Sequence, residues 1–556
     1  MRRYVTALAT AGLFGFMLGL VFALRDWSTA WPRLSLFALL RSGAVGWLVG
    51  VVCSPLLGRL WPGGARGHLW NPSGRRVVTA LLAALALAPA VLWLAPVLPR
   101  GWLREAAPLA RRPGDARPNL ILITIDALRT DHLGAYGSRR GLTPNLDAFA
   151  REATQYDAAY VGSPWTLTSF GTVFTSLSPS QCGLKSPEPV GSDWYRGRAR
   201  LPEEINLLPE QLQRAGYTTT AELTNVFLEA DRGWSRGFDH FRNEGGADGT
   251  NSELAHAQTL TEHTLDWVKL NRRQPFFLWV HYLDPHCPYD APDTPPRLRA
   301  RYPSHWVARR ERWYQGIRQA PAGTRRRYQE FCRVMYAEEV RYVDRWAGEL
   351  LKGLRGAGVY ENSLVVMAAD HGEELFDHGG FDHGHSMHEE VLSVPLLVKW
   401  PRGVAADKRV TQTVASAELA GTLLEFAHAP DLNGHKVQAL PRRDGARGCE
   451  VYSEALLYGL EQTALTTDGY RVVYHPYGGP RGGRFEVFDR RADRQERHDL
   501  AATGAASELR SRLKALAQSA QAEARRWQAS RGEEARPFQL SEQAKERLRA
   551  LGYVGD

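Results

Sequence analysis

The sequence predicts an α/β protein built on a mostly parallel sheet with helices on both faces. Short, continuous apolar runs recur at Asn119–Ile125, Phe276–Leu283, Leu364–Ala369 and Pro395–Val398, as expected of strands buried on both sides. Helical patterns lie between them at Asn145–Ala153, Leu207–Ala215, Leu254–Leu270 and Tyr336–Leu354, and this alternation is the mark of an α/β sheet. Asp126, His286 and the pair Asp370–His371 each follow the end of a predicted strand. Ligands collect at that edge in such sheets.

Taken from the start, 556 residues exceed one ordinary core. Three apolar stretches come first: Val5–Leu24, then Leu34–Leu57 with Arg41 near its start, then Val77–Leu98. Each is long enough for a bilayer. A cleavable signal peptide is the competing reading of the first, but its run is long and two more follow. Arg2 and Arg3 precede the first stretch, and Arg59, Arg66, Arg75 and Arg76 fill the loop before the third. By the positive-inside rule these face the cytoplasm. The expectation is therefore an integral protein of the cytoplasmic membrane over 1–98, with the lipid bilayer as a partner and the remainder outside. Residues 99–117, rich in Arg, Pro and Ala, read as a linker, and 118–440 as the catalytic α/β domain. Within it, 294–334 reads as an insertion over the sheet edge. From 441 to 556 shorter strands, such as Tyr470–Tyr474 and Phe485–Phe488, precede a polar helical tail, giving a small α+β subdomain.

The net charge of +9 suits an anionic substrate or membrane surface. No zinc finger, RNA-binding signature or dense basic helix is visible, so nucleic acid is not an expected partner. Cys53, Cys182, Cys287, Cys332 and Cys449 form no CxxC pair, and their pairing stays open.

The segment Pro118–Gly137, with Asp126 at its centre, opens a series of motifs. Thr143-Pro-Asn-Leu-Asp147, Phe276–Tyr289 with His286, Ala369-Asp370-His371-Gly-Glu-Glu374, Gly384-His385 and Glu389–Pro401 follow in order. Phe485–Asp489, Glu496–Leu500 and Leu551–Asp556 complete the series. Together they resemble the sulfatase family of the alkaline phosphatase superfamily over roughly 118–556. The resemblance implies an alkaline-phosphatase-like central sheet and a metal-dependent ester hydrolase or transferase. The residues alone point the same way: two carboxylates, Asp126 and Asp370, with the imidazole of His371, can hold a divalent cation. A mixed oxygen and nitrogen set favours Zn²⁺ or Mn²⁺, with Ca²⁺ or Mg²⁺ next.

The chain departs from the family pattern where the pattern carries chemistry. Ala127 stands in the second acid position and His371 in place of Asn. Counting back from Phe174-Thr175-Ser176 puts Thr166 at the nucleophile, with Thr168 and Phe170 where the motif has Pro and Arg. No formylglycine is therefore expected. Thr is, however, the nucleophile of the similar phosphoethanolamine transferases, which also use Asp-His. Thr166 follows Ser163-Pro164 at a predicted helix start, where the dipole favours an anion; Ser163 and Ser169 are the fallback nucleophiles. Asn225 falls where sulfatases often have a Lys on the sulfate.

The leading expectation is cleavage or transfer of a phosphate-type ester through a covalent Thr166 adduct. One metal would sit on Asp126, Thr166, Asp370 and His371, with His286 or His385 assisting the leaving oxygen. The substrate would be an anionic ester on a lipid or glycan. The alternatives are a sulfatase diverged at its motif, and an inactive protein that binds anionic glycans or lipids.

Overall fold

Strands form where the chain can bury apolar side chains on both faces at once. In the computed structural model, which describes residues 117–185, 200–244, 256–434, 436–445, 448–478 and 483–531, the first is β1 (Asn119–Ile125), every residue of it buried. It is followed by β2 (Thr154–Tyr160), β3 (Thr218–Leu223), β4 (His240–Asn243), β5 (Phe276–Tyr282) and β6 (Ser363–Ala369). Then come the short hairpin β7 (Glu374–Leu375) and β8 (Phe381–Asp382), then β9 (Ser393–Lys399) and β10 (Arg409–Ala415). The main sheet has eight strands in the order β10-β2-β9-β6-β1-β5-β3-β4. All neighbours are parallel except β9, which runs antiparallel to both β2 and β6. The α/β class and mostly parallel sheet are thus present.

Two groups of helices cover this sheet. The long helix Ala322–Gly356 packs on helices Ala257–Asn271 and Pro144–Glu152, and helix Glu418–Ala427 packs on Thr166–Thr175 and Leu208–Arg214. The long helix begins fourteen residues before the predicted Tyr336, so the insertion 294–334 holds three short helical turns, Pro296–Arg299, Arg310–Gln315 and Ile317–Gln319, and the first part of that helix. Beyond residue 448, β11 (Val451–Ser453), β12 (Thr463–Thr466), β13 (Tyr470–His475) and β14 (Arg484–Asp489) make an antiparallel sheet. Leu465, Val472, Val487 and Leu513 form its own small core with helix Ser507–Arg531.

Placement in the membrane is corrected. Among the described residues no helix is long and apolar enough to cross a membrane; the longest, Ala322–Gly356, carries Arg and Glu along its length. The three spans expected over 1–98 lie outside the described residues, as does all but the last residue of the linker 99–117.

Candidate functional site

Strand register brings the site together. On the parallel pair β1 and β6, Ile125 lies opposite Ala369, so Asp126 and Asp370 emerge side by side at the carboxyl edge. On the other flank of β1, Thr124 lies opposite His281 of β5, and His281 lies opposite Leu223 of β3, two residues before Asn225. The chain turns sharply past Asp126: Ala127 has φ 57°, a left-handed conformation that costs a non-glycine residue energy and needs support. Tyr336 of the long helix supplies it. Its hydroxyl donates to Ala127 O at 2.7 Å and accepts from Arg129 N at 2.9 Å.

Thr166 is the first residue of a helix buried from end to end, Thr166–Thr175. Trp165 ahead of it is extended, and its indole N–H donates to Ala455 O at 2.8 Å. Thr166 Oγ1 lies 3.4 Å from Asp126 Oδ2 and 3.2 Å from His371 Nε2. The fallback hydroxyls are engaged elsewhere: Ser163 with Thr168, and Ser169 donating to the Asp370 carbonyl at 2.6 Å.

One donor atom each from Asp126, Asp370 and His371 lies within 4.8 Å of the others. His371 Nδ1 donates to Gly372 O at 2.9 Å. Its Nε2 therefore bears a lone pair, which faces Asp126 Oδ1 at 3.3 Å and Asp370 Oδ2 at 3.4 Å. Burial, reinforced by His383, pushes this imidazole down to about 3, so it stays neutral. Asp370 Oδ1 accepts from the backbone of Ala127 and His371, whereas Asp370 Oδ2, Asp126 Oδ1 and His281 Nε2 are buried without a hydrogen-bond partner. Buried polar atoms are almost always paired. Lone pairs converging on one point repel unless a cation sits among them, so this donor set fits a divalent metal. The two carboxylates respond oppositely to their surroundings. Burial and the neighbouring Asp126 hold Asp370 well above the usual range, while for Asp126 the facing His286, His281 and His371 outweigh burial and hold it low.

Of the other expected residues, Asn225 Nδ2 donates to Asp126 Oδ2 at 3.3 Å. His286 is buried, its Nδ1 donates to Cys287 O, and its ring lies 4.9 Å from that of His383. His385 stands one layer back: Nε2 meets Glu374 Oε2 at 2.8 Å, and Nδ1 lies 3.3 Å from the Arg310 guanidinium.

Two further histidines lie beside the Asp126, Asp370 and His371 cluster. His281 faces Asp126 Oδ2 at 3.4 Å; its place in the apolar run of β5 is the one sequence signal for it. His383 packs 4.2 Å from the His371 ring, with Nδ1 between Asp382 Oδ1 at 2.8 Å and Glu373 Oε1 at 3.1 Å. Burial opposes its charge, but these carboxylates outweigh it and hold the imidazole well above its ordinary range. Among the described residues, no disulfide joins Cys182, Cys332 and Cys449.

Comparison with known proteins bears on the fold and the family. The family described as "Sulfatase" matches residues 118–429, more than half the chain, and "N-sulphoglucosamine sulphohydrolase, C-terminal" matches residues 376–523. An arylsulfatase of Clostridium perfringens is 24% identical over 56% of this chain and 75% of its own length. A Δ4,5-hexuronate-2-O-sulfatase of Bacteroides thetaiotaomicron is 24% identical over 69% of this chain and 85% of its own. Among solved structures, a protein bound to its substrate D-glucosamine-2-N,6-O-disulfate superposes with TM-score 0.56 at 19% identity, covering 74% of this chain and 98% of that one. The phosphonate monoester hydrolase of Agrobacterium radiobacter superposes with TM-score 0.55 at 15% identity, covering 73% and 96%.

Proposed function

Because this chain belongs to the sulfatase family, we propose that it hydrolyses an anionic ester, a sulfuric ester first, with Thr166 as the attacking group. The named relatives are sulfatases, and they support the sulfuric ester over the phosphate-ester transfer that the sequence suggested first. The observation that carries the mechanism is the position of Thr166 Oγ1, 3.2 Å from His371 Nε2 and 3.4 Å from Asp126 Oδ2 at the start of a buried helix.

Asp126, Asp370, His371 and Thr166 would hold one divalent cation, Zn²⁺ or Mn²⁺ by the donor set. Bound there, it neutralises charge and lowers the pKa of a coordinated hydroxyl. Thr166 Oγ1 forms a bond to sulfur as the ester S–O bond breaks, and the alcohol leaves with a proton. His286, whose pKa burial pushes down and whose Nδ1–H donates to Cys287 O, takes the Thr166 proton on Nε2 and passes it to that alcohol, since both ring nitrogens of His385 face Glu374 and Arg310. His383, kept cationic by Asp382 and Glu373, stabilises negative charge on the transferring group. Attack of water on the sulfo-threonine then releases sulfate and restores the hydroxyl.

A phosphate-type ester is the second reading, and Thr166 itself favours it. A threonine side chain cannot be oxidised to an aldehyde, and an ordinary threonine ester must be cleared by displacement, which metal-assisted sites perform on phosphorus. The test is a panel of aryl sulfate, phosphate monoester and phosphodiester, assayed with metal-stripped full-length chain reloaded with Zn²⁺, Mn²⁺, Ca²⁺ or Mg²⁺. The expected result is sulfate-ester turnover restored best by Zn²⁺ or Mn²⁺. Turnover of the phosphodiester alone would replace the first reading by the second; no turnover of any ester with any metal would end both.

A further inference from the structure

The insertion 294–334 holds eleven arginines and no lysine, against two acids, Glu311 and Glu330. That surplus equals the net charge of the whole chain, +9. Among the described residues only one of these arginines is in ion-pair contact with a carboxylate, Arg301 at 3.8 Å from Glu330; Arg310 and Arg333 act on Asp382 and Asp377 from further off. Charge concentrated and left unneutralised in one segment costs self-repulsion, and it raises the local concentration of polyanions.

Arg310 is where this segment reaches the site. It opens the helical turn Arg310–Gln315, which packs against β8. Its guanidinium lies 3.9 Å from the centroid of the Tyr458 ring and 4.5 Å from that of Tyr314. One nitrogen approaches the Phe381 carbonyl at 3.4 Å and His385 Nδ1 at 3.3 Å. His385 Nε2 meets Glu374 Oε2, and its Nδ1 lies 3.3 Å both from the guanidinium and from the His383 carbonyl, so the ring sits between Arg310 and the segment that carries His383. The backbone N–H of Tyr458 donates to Gly384 O at 2.8 Å, and a side chain at Gly384 would meet Trp165, the neighbour of Thr166. Arg310 is thus a half-buried cation close enough to the site to act on Asp382, the carboxylate beside His383, and no ion pair to it is present among the described residues.

We infer that Arg310 binds a second anionic group of the substrate, a sulfate or carboxylate on the sugar next to the ester being cleaved, and that the arginine-rich insertion extends this preference to polyanionic glycan chains. The inference rests on the ester-hydrolase reading above and names its substrate class. A planar guanidinium held between aromatic rings recognises such oxyanions in a way a lysine does not. A lipid surface fits less well. None of the exposed large apolar side chains (Leu270, Leu460, Tyr477 and Leu516) lies in the insertion, and a membrane-seated element needs an apolar face.

The test is equilibrium binding to the full chain carrying Thr166→Ala, so that no ligand is consumed and the result does not depend on turnover. The probes are a disulfated disaccharide, its monosulfated counterpart, and vesicles of anionic phospholipid. Arg310→Gln should weaken the disulfated ligand roughly tenfold, the scale of one charge-assisted pair, and the monosulfated one far less. Arg310→Lys should fall between. Equal losses on both saccharides would make Arg310 a mere support for the site and overturn the inference. Unchanged binding of both would also overturn it, as would a loss confined to the vesicles.

Discussion

His371 and His378 sit seven residues apart, one on each side of β7, and their surroundings drive their protonation in opposite directions. His371, sealed between carboxylates and His383, is pushed down to about 3 by burial. At His378 burial works against the charge, but the Glu390 carboxylate at 2.8 Å and the Glu496 carbonyl at 3.3 Å outweigh it and raise the ring to about 9. A folded-state value raised above 6.5 stabilises the fold fully below the unfolded pKa, and that stability is lost as pH rises through the folded one. His378→Gln should therefore cost about 1 kcal/mol near pH 6, after allowance for partial screening, and much less near pH 10. Denaturant unfolding at the two pH values checks it; an equal loss at both would mean that the charge contributes nothing. At this scale the sequence marks Asp126, Asp370 and His371 as one group, because they sit at strand ends within motifs, and the structure brings them together. It does not separate five histidines between 371 and 388. His383 acquires its role only when β8 brings Asp382 beside Glu373.

Strands buried by their own apolar side chains are legible in sequence; strands buried by their neighbours are not. β1 spans the predicted Asn119–Ile125, and β5 and β6 differ from prediction by one residue at one end. β2 reads Thr-Gln-Tyr-Asp-Ala-Ala-Tyr and shows no apolar run, yet it lies between β9 and β10 with its tyrosines buried. Tyr156 and Tyr160 are accommodated because their hydroxyls reach Pro441 O and Glu389, partners far away in the chain. The long helix shows the same limit: its first fourteen residues are mostly polar and pack only in part. Its buried portion has a function beyond packing, through Tyr336 at the Ala127 turn. Tyr336→Phe keeps the ring contacts with His132 and Tyr289 but loses both hydrogen bonds. The expected loss of stability is about 1–2 kcal/mol, with kcat/KM down roughly tenfold as Asp126 loosens. Parallel unfolding and steady-state assays check this; stability lost with kcat/KM intact would show that the turn does not position Asp126.

At the level of the whole molecule, the small sheet is fastened to the catalytic part by charge as well as by apolar packing. Arg471 of β13 is fully buried, paired with Glu389 at 2.7 Å and Glu496 at 3.2 Å, its guanidinium 4.8 Å from the Tyr160 ring centroid. Glu496 also accepts from His388 at 3.0 Å, so the segment that runs from β6 through His371 and His383 to His388 is tied to Arg471 of the small sheet. Such long-range pairing is invisible in a linear reading, although the change to short strands near residue 440 announces the small sheet. What joins all levels is the covalent step proposed at Thr166, and it can be tested directly. Full-length chain turning over an aryl sulfate in excess is quenched in denaturant and digested, and the peptide carrying Thr166 is weighed. The expected result is a sulfo group on Thr166 in the wild type and in Thr166→Ser, with turnover in Thr166→Ala lower by roughly a thousandfold or more. A peptide that stays unmodified, with Thr166→Ala as active as the wild type, would contradict it.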